Sequence, residues 1–438
     1  MIITKKKAMK KIKQISFIFF ILNFPFFIFA KPMLLRFKVF PFPAQILINN
    51  QELKPQIKET ELSYLLLPGT YQVQLKALGY QTKTLTLDFK KPLFIEEKLE
   101  KNSSFAQFKK EFFTGSQPKS IYYTPQGDFL IIPLLEGLGA QVFCAKTFNP
   151  VKLLSPPTHF AKQKGFVEVA FLNQRQEIWV SQMTANQVHI FDLKTFDYKH
   201  SIFVQGHWPK IITPSLDEER VFVSNWVSQD VSVLCPKTKK VLKTIKTQGI
   251  PRGMALSPHN EFLYIALFST GKIEKINLAN YQKVKTLDFG KGAKRHLIFD
   301  YQRNILYASD MQRGSVFMID GKTDKLMKEI IMDHKINTIQ LTSDGNLLVA
   351  SSRGPNGKKG YLYKSHEFGK VYFVCPHVKR VIHWFWGKNQ PTGLALSPIE
   401  NQLVYTNFLD YQAEVYHFSP FYLGYWQYAF AFLPLALY

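Results

Sequence analysis

The sequence predicts an all-β chain: a seven-bladed β-propeller preceded by a small β-sandwich domain. Three observations carry this. Positions 31–99 are strand-rich, with apolar residues at every second place. Behind them one unit recurs seven times, starting at Pro118, Phe166, Pro209, Pro251, Lys294, Ile336 and Pro391, at spacings of 48, 43, 42, 43, 42 and 55. The third unit resolves into four short strands, and four strands in about 40–45 residues is the content of one propeller blade. Composition agrees with a folded chain, since 46% of its 438 residues are hydrophobic, too many for a disordered polymer. Three cysteines exclude a disulfide-stapled mini-scaffold, and no CxxC, CxxCH or HExxH occurs to suggest haem attachment or a common zinc site.

Residues 1–30 read as a secretory signal peptide. Lys5, Lys6, Lys7, Lys10, Lys11 and Lys13 precede an apolar run from Ile15 to Phe29, and Ala30 is a small residue at the cut. Ile28 fits the −3 position poorly, which leaves a short uncleaved anchor as the alternative. Pro25 and a run of only 15 residues favour export with cleavage. No cysteine follows, so a lipid anchor is not expected. Loss of the leader leaves 50 basic and 32 acidic residues, an excess that attracts polyanions. The expected address is the periplasm or the cell surface.

Residues 31–99 form the small domain. Phe37 to Phe40 is a strand, Ile46 to Ile48 runs into a turn at Asn49-Asn50, and Leu67-Pro68-Gly69 turns into an alternating strand through Tyr71, Val73 and Leu75. Gly79-Tyr80 turns the chain again. Pro43-Ala44 with its following strand, the Leu67-Pro68-Gly69-x-Tyr71-x-Val73 stretch and Gly79-Tyr80 resemble a PEGA domain. The resemblance implies an envelope-associated, non-enzymatic module. Asn49-Asn50 departs from the family's Asp/Asn-Gly and leaves the turn type open.

The propeller occupies 117–420. Its clearest copies are Pro251-Arg252-Gly253-Met254-Ala255-Leu256-Ser257-Pro258 and Pro391-Thr392-Gly393-Leu394-Ala395-Leu396-Ser397-Pro398. A single four-stranded sheet cannot bury both faces, so the units must stack around an axis. Val221-Phe222-Val223-Ser224-Asn225 and Val404-Tyr405-Thr406-Asn407, with the later Asp192 and Asp320 segments, resemble the YVTN family of bacterial β-propellers. That resemblance is specific for fold and weak for function. Cys144, Cys235 and Cys375 take the place of Asp192 and Asp320 in units one, three and six. No two of these are neighbours in a seven-membered ring, so neither a disulfide nor a shared metal is expected, and no disulfide-linked partner. Residues 100–116 are a linker or a ring-closing strand. The uncharged aromatic tail 421–438 is the rival for closure, or else a cap or a membrane-associated segment.

In such a ring, the loop entering the first strand and the loop after the second strand of each unit surround one channel mouth. The residues just after the unit starts are Lys119, Val167, Lys210, Arg252, Arg295, Asn337 and Thr392, four of them basic. His207, Trp208, Lys294 and His296 stand beside them, and the second-strand loops add Trp226, Phe268, Asp310, Arg313, Arg353 and Phe408. The candidate ligand site is therefore Lys119, Lys210, Arg252, Arg295, His296, Trp208, Trp226 and Arg353. Cations interleaved with aromatic planes suit an anionic ligand with flat or ring-shaped parts. The leading expectation is a non-catalytic envelope binding or scaffold protein. Its partner would be an envelope protein or an anionic polymer: a glycan, a lipid phosphate or single-stranded nucleic acid. No catalytic residue, metal or cofactor is expected. The alternative is a lactonase-type hydrolase on an anionic sugar lactone, with His296 or His207 as base. For its metal ligands only Asp310, Asn337 and Asn407 are near by register, and a glutamate is missing. A carboxylate within reach of His296 favours hydrolysis; a shallow basic dish favours binding.

Overall fold

The computed structural model describes residues 31–40, 44–58, 61–76, 80–100, 105–157 and 163–418. The leader and the tail from 419 onward lie outside them, and so do the readings that fall there. The described chain forms nine four-stranded sheets and no α-helix.

The first two sheets face each other. Met33–Phe40 runs antiparallel to Glu61–Leu66 and parallel to Leu93–Lys98, while Gln45–Ile48 and Lys83–Phe89 flank Gly69–Lys76 in the second sheet. Leu35, Phe37 and Val39 of one sheet share a core with Ile46, Ile48, Val73, Leu75 and Phe89 of the other. Alternation delivers this: the even-spaced residues point inward and their neighbours outward. Asn49 and Asn50 sit at φ 50° and 61° between two paired strands, the backbone a two-residue type I′ hairpin needs. Asparagine tolerates that region, and the Asn49 side chain accepts the Gln72 N–H at 2.9 Å. Two asparagines thus do the work of Asn-Gly.

Seven further sheets follow in succession. Their first strands include Phe166–Leu172, Pro209–Pro214, Pro251–Leu256, Lys294–Asp300, Ile336–Leu341 and Pro391–Leu396; in the first of the seven, Pro118 bridges Leu134 ahead of Tyr122–Tyr123. Each sheet runs in simple antiparallel order. Between consecutive sheets lies a separate apolar cluster, such as Phe222, Val231 and Val233 against Met254, Leu263 and Ile265. A seventh cluster joins the last sheet to the first, packing Ala395, Val404 and Val415 against Ile121, Leu130 and Phe143. This closed set of interfaces is a propeller-like arrangement. It explains why second strands such as Ile178-Trp179-Val180 are buried on both faces. The outer strand of the last sheet is Ala106–Phe113, which pairs antiparallel with Gln412–Phe418. Phe112 is held there between Phe143 and Phe148, at 5.0 and 5.3 Å. All three cysteines are free thiols, and burial pushes Cys375 up to about 11.

Candidate functional site

In six of the seven sheets the pairing slips just after the first strand begins, as between Pro251 and Met254 or Phe166 and Glu168. One extra residue stands opposite its partner strand. A bulge breaks the in-out alternation and re-aims side chains, so two consecutive residues of a strand both serve the channel. The Ser or Thr of the second strand fastens this bulge. Ser224 Oγ accepts the Ile211 N–H of its own sheet and donates to the Arg252 carbonyl of the next at 2.9 Å. Ser309 does the same for His296 and Asn337, and Ser351 for Thr338 and Thr392. Thr406 accepts the Gly393 N–H. The hydroxyl of the recurring tetrapeptide is a tie between neighbouring sheets. Gly253 permits the close approach, since a Cβ there would lie 2.6 Å from the Arg295 carbonyl oxygen.

This scaffold gathers Lys119, Lys210, Arg252, Arg295 and Arg353 within electrostatic reach of one another. Among the described residues one carboxylate answers them. Glu168 Oε1 meets Arg252 Nη2 at 3.0 Å, and Glu168 Oε2 accepts the Tyr122 hydroxyl at 2.6 Å. Arg252, Arg295 and Arg353 are 5, 8 and 6% exposed. The Arg295 side chain has no hydrogen-bonding or ion-pair partner among the described residues. Arg252 Nη1, Arg353 Nε and His296 Nδ1 are buried without partners as well. Below the arginines, beside His296, Thr338 and Gln340, lies a cavity of about 10 Å³, room for about one water.

The electrostatics follow from this crowding. Burial, reinforced by Arg353, Arg295, Lys210 and Arg252, pulls the Lys119 ammonium well below its ordinary range. Burial and Arg252 bring Lys210 down to about 7. Burial lowers Arg353 to about 10, so it stays charged at neutral pH. Burial alone would raise the Glu168 carboxyl, but Arg252, the Tyr122 hydroxyl and His296 outweigh it and hold the group below its usual value. His296 is pushed down to about 4, chiefly by burial, and is neutral at physiological pH. By accessible area Lys119 and His296 are half-buried.

Aromatic rings stand beside the cations. Lys119 Nζ lies 4.6 Å from the Phe408 ring centroid and 5.9 Å from Tyr361. Arg353 lies 5.4 Å from the Tyr361 ring centroid and donates to Gln390, whose side-chain amide in turn donates to the Tyr361 carbonyl. Lys210 Nζ stands 5.4 and 5.9 Å from Trp208 and Trp226 and 2.8 Å from Met183 Sδ. Trp226 packs on Phe268 at 5.0 Å.

No family model matches the chain. Over 403 residues it is 35% identical to Antigen Lp49 of Leptospira interrogans serogroup Icterohaemorrhagiae serovar copenhageni (strain Fiocruz L1-130), an alignment covering 87% of this chain and 88% of that one. This chain belongs to the Lp49 antigen family. Among solved structures, Kuenenia stuttgartiensis hydrazine synthase is similar with a TM-score of 0.60, over 69% of this chain and 96% of that one. At 15% identity that likeness speaks for the propeller-like fold alone.

In this Lp49-family chain the eight residues singled out from sequence sit in or beside one site, but the site is not a dish. Its arginines are interior groups, and only Trp208, 41% exposed, faces solvent freely. Lys294 does not join them: it is fully buried, paired with Asp310 at 2.6 Å over the Phe317 ring. Asp310 is thereby spent. Arg313 turns outward to Glu329. Asn407 is held by Glu414 and the Lys388 N–H. The expected absence of a glutamate is corrected by Glu168. Strict alternation points the third residue of the strand Phe166–Leu172 away from the channel, and the bulge reverses that. Tyr361 was missed because it lies in the insertion after Arg353, outside the repeat register. Among the described residues no group of three or more His, Cys, Asp or Glu side chains is arranged to hold a metal.

Proposed function

We propose that this Lp49-family chain is an exported cell-envelope binding protein: a seven-bladed β-propeller of YVTN-type repeats behind a PEGA-like sandwich, taking an anionic ligand on the cationic channel site. The observation that carries the reading is the charge imbalance. Three buried guanidinium groups face one carboxylate, with two desolvated lysines beside them. Buried charges left unpaired are costly, and a ligand anion relieves that cost. Export is supported by the leader-like composition of 1–30 and by the relative's description as an antigen.

Hydrolysis finds less support. Both Glu168 oxygens are engaged by Arg252 and Tyr122, and a histidine lowered to about 4 is a weak base at neutral pH. The test is binding to an array of anionic glycans, anionic lipids and single-stranded DNA across ionic strengths. Affinity should fall as salt rises, and joint substitution of Lys210, Arg252 and Arg295 should weaken it more than replacing three exposed lysines. Binding indifferent to salt, or equal losses in both variants, overturns the reading.

A further inference from the structure

We propose that the ligand of this channel is a phosphate-type oxyanion, a compact group of at least two negative charges entering as an ion or as a chain terminus, and not a polymer lying across the face. The inference rests on the anion-binding reading above and narrows it. Its first ground is burial. Arg295, whose side chain has no partner, and Arg252 and Arg353, each with one donor nitrogen left over, are more than nine-tenths buried, so a polymer running over the surface cannot bring successive charges onto them. The second ground is direction. Lys119, Lys210, Arg252, Arg295 and Arg353 come from the first, third, fourth, fifth and sixth sheets of the ring. Donors converging from five sheets match an oxyanion whose oxygens point in several directions. A lone carboxylate has two oxygens in one plane and a single charge. The third ground is charge: three guanidinium groups less the Glu168 carboxylate leave two positive charges before either lysine is counted. Arg252 Nη1 and Arg353 Nε are buried donors without partners, and an oxyanion reaches them by parting the side chains around a cavity that otherwise has room for about one water.

Proton linkage gives an independent readout. Lys210 is faced by Arg252, Arg295, Glu168, Met183 and the Trp208 and Trp226 rings; Lys119 by Arg353, Arg295, Lys210, Arg252, Tyr361 and Phe408. An anion between them restores their ammonium forms, so binding draws in protons. Lys210 is already protonated below about pH 7. As pH rises above that value, affinity should fall, by at most about tenfold per pH unit for each lysine involved.

The experiment is calorimetry on the purified protein with sulfate, inorganic phosphate, pyrophosphate and acetate. Phosphatidate vesicles and oligothymidylate are run beside them. Sulfate keeps its two charges across the pH range and so isolates the protein's own titration. The result expected is binding of sulfate, phosphate and pyrophosphate with proton uptake, and none of acetate. Arg295→Gln should lower sulfate affinity roughly 10- to 100-fold, the loss of a charge-assisted contact. The same variant should melt no lower than the parent without ligand, because it removes an unpartnered buried cation. Lys119→Met, which keeps the packing on Phe408, is the second variant and should weaken sulfate too. Phosphatidate binding that both substitutions abolish supports the same chemistry from a lipid source. Oligothymidylate binding that Arg295→Gln weakens, with no small oxyanion bound, overturns this inference and leaves the broader reading standing. Anion binding indifferent to both substitutions overturns both.

Discussion

Glu168→Gln tests the electrostatics of the channel most directly. The substitution keeps the shape of the side chain and one oxygen for Arg252, turns an amide N–H toward the Tyr122 hydroxyl, which can accept it, and removes one charge. Arg252 is then left buried beside Arg295, Lys119 and Lys210 with no counter-charge. Removing one partner of a buried ion pair costs about 3–5 kcal/mol, and the retained hydrogen bonds favour the lower end, ~3 kcal/mol. At roughly 2 °C per kcal/mol for a large domain, the melting temperature should drop by about 6 °C at pH 7. The assay is thermal unfolding in a buffer free of sulfate and phosphate, since a bound anion would stabilise both proteins and mask part of the loss in the variant. The Glu168 carboxyl is depressed in the folded protein, so its contribution is full above the unfolded value of 4.5 and is lost as pH falls. The gap between parent and variant should therefore be constant through neutral pH and close below about pH 4.5. Adding Arg252→Gln should recover part of the loss through a coupling of about 1 kcal/mol or more. A variant as stable as the parent at pH 7, or a gap that widens in acid, would refute the reasoning.

Two further outcomes concern the frame. Ser224→Ala leaves the Ile211 N–H and the Arg252 carbonyl without their shared hydroxyl inside the protein, and should cost about 1–3 kcal/mol in chemical denaturation; a change near zero would mean that water replaces the tie. Phe112→Ala removes a ring that is 7% exposed between the last and first sheets, and should destabilise by ~3 kcal/mol, read by thermal unfolding; an unchanged melting temperature would mean that the outer strand contributes nothing to closure.

Much of the frame was legible because it repeats. The residues that mark the units are those that open the inner strands from Phe166 to Pro391, and the Ser or Thr of the tetrapeptide recurs because the same tie is needed at most interfaces. The cations were legible for the same reason: Arg252 and Arg295 share one register position. Depth was not legible. Whether a basic residue beside a channel faces water or its opposite neighbours depends on how closely the inner strands approach, and that is set by Gly253 and by the bulges. Glu168 hid behind the alternation rule that the bulge breaks. Lys294 looked like a channel residue by number, but the carboxylate of Asp310 across the strand pair claimed it first.

The last sheet is built from both ends of the described ring: Gln412 hydrogen-bonds Glu111 across 301 positions of sequence. Bringing two such distant segments together costs about 5 kcal/mol of chain entropy before any contact rewards it. The reward also arrives late, since the strand that receives Ala106–Phe113 is made about 300 residues after it. For most of its passage out of the ribosome the early strand has no partner and presents an open edge. That edge is covered once Gln412–Phe418 pairs with it. Only then do the arginines of distant sheets come face to face, so the charge they confront each other with is an expense deferred to the end of assembly.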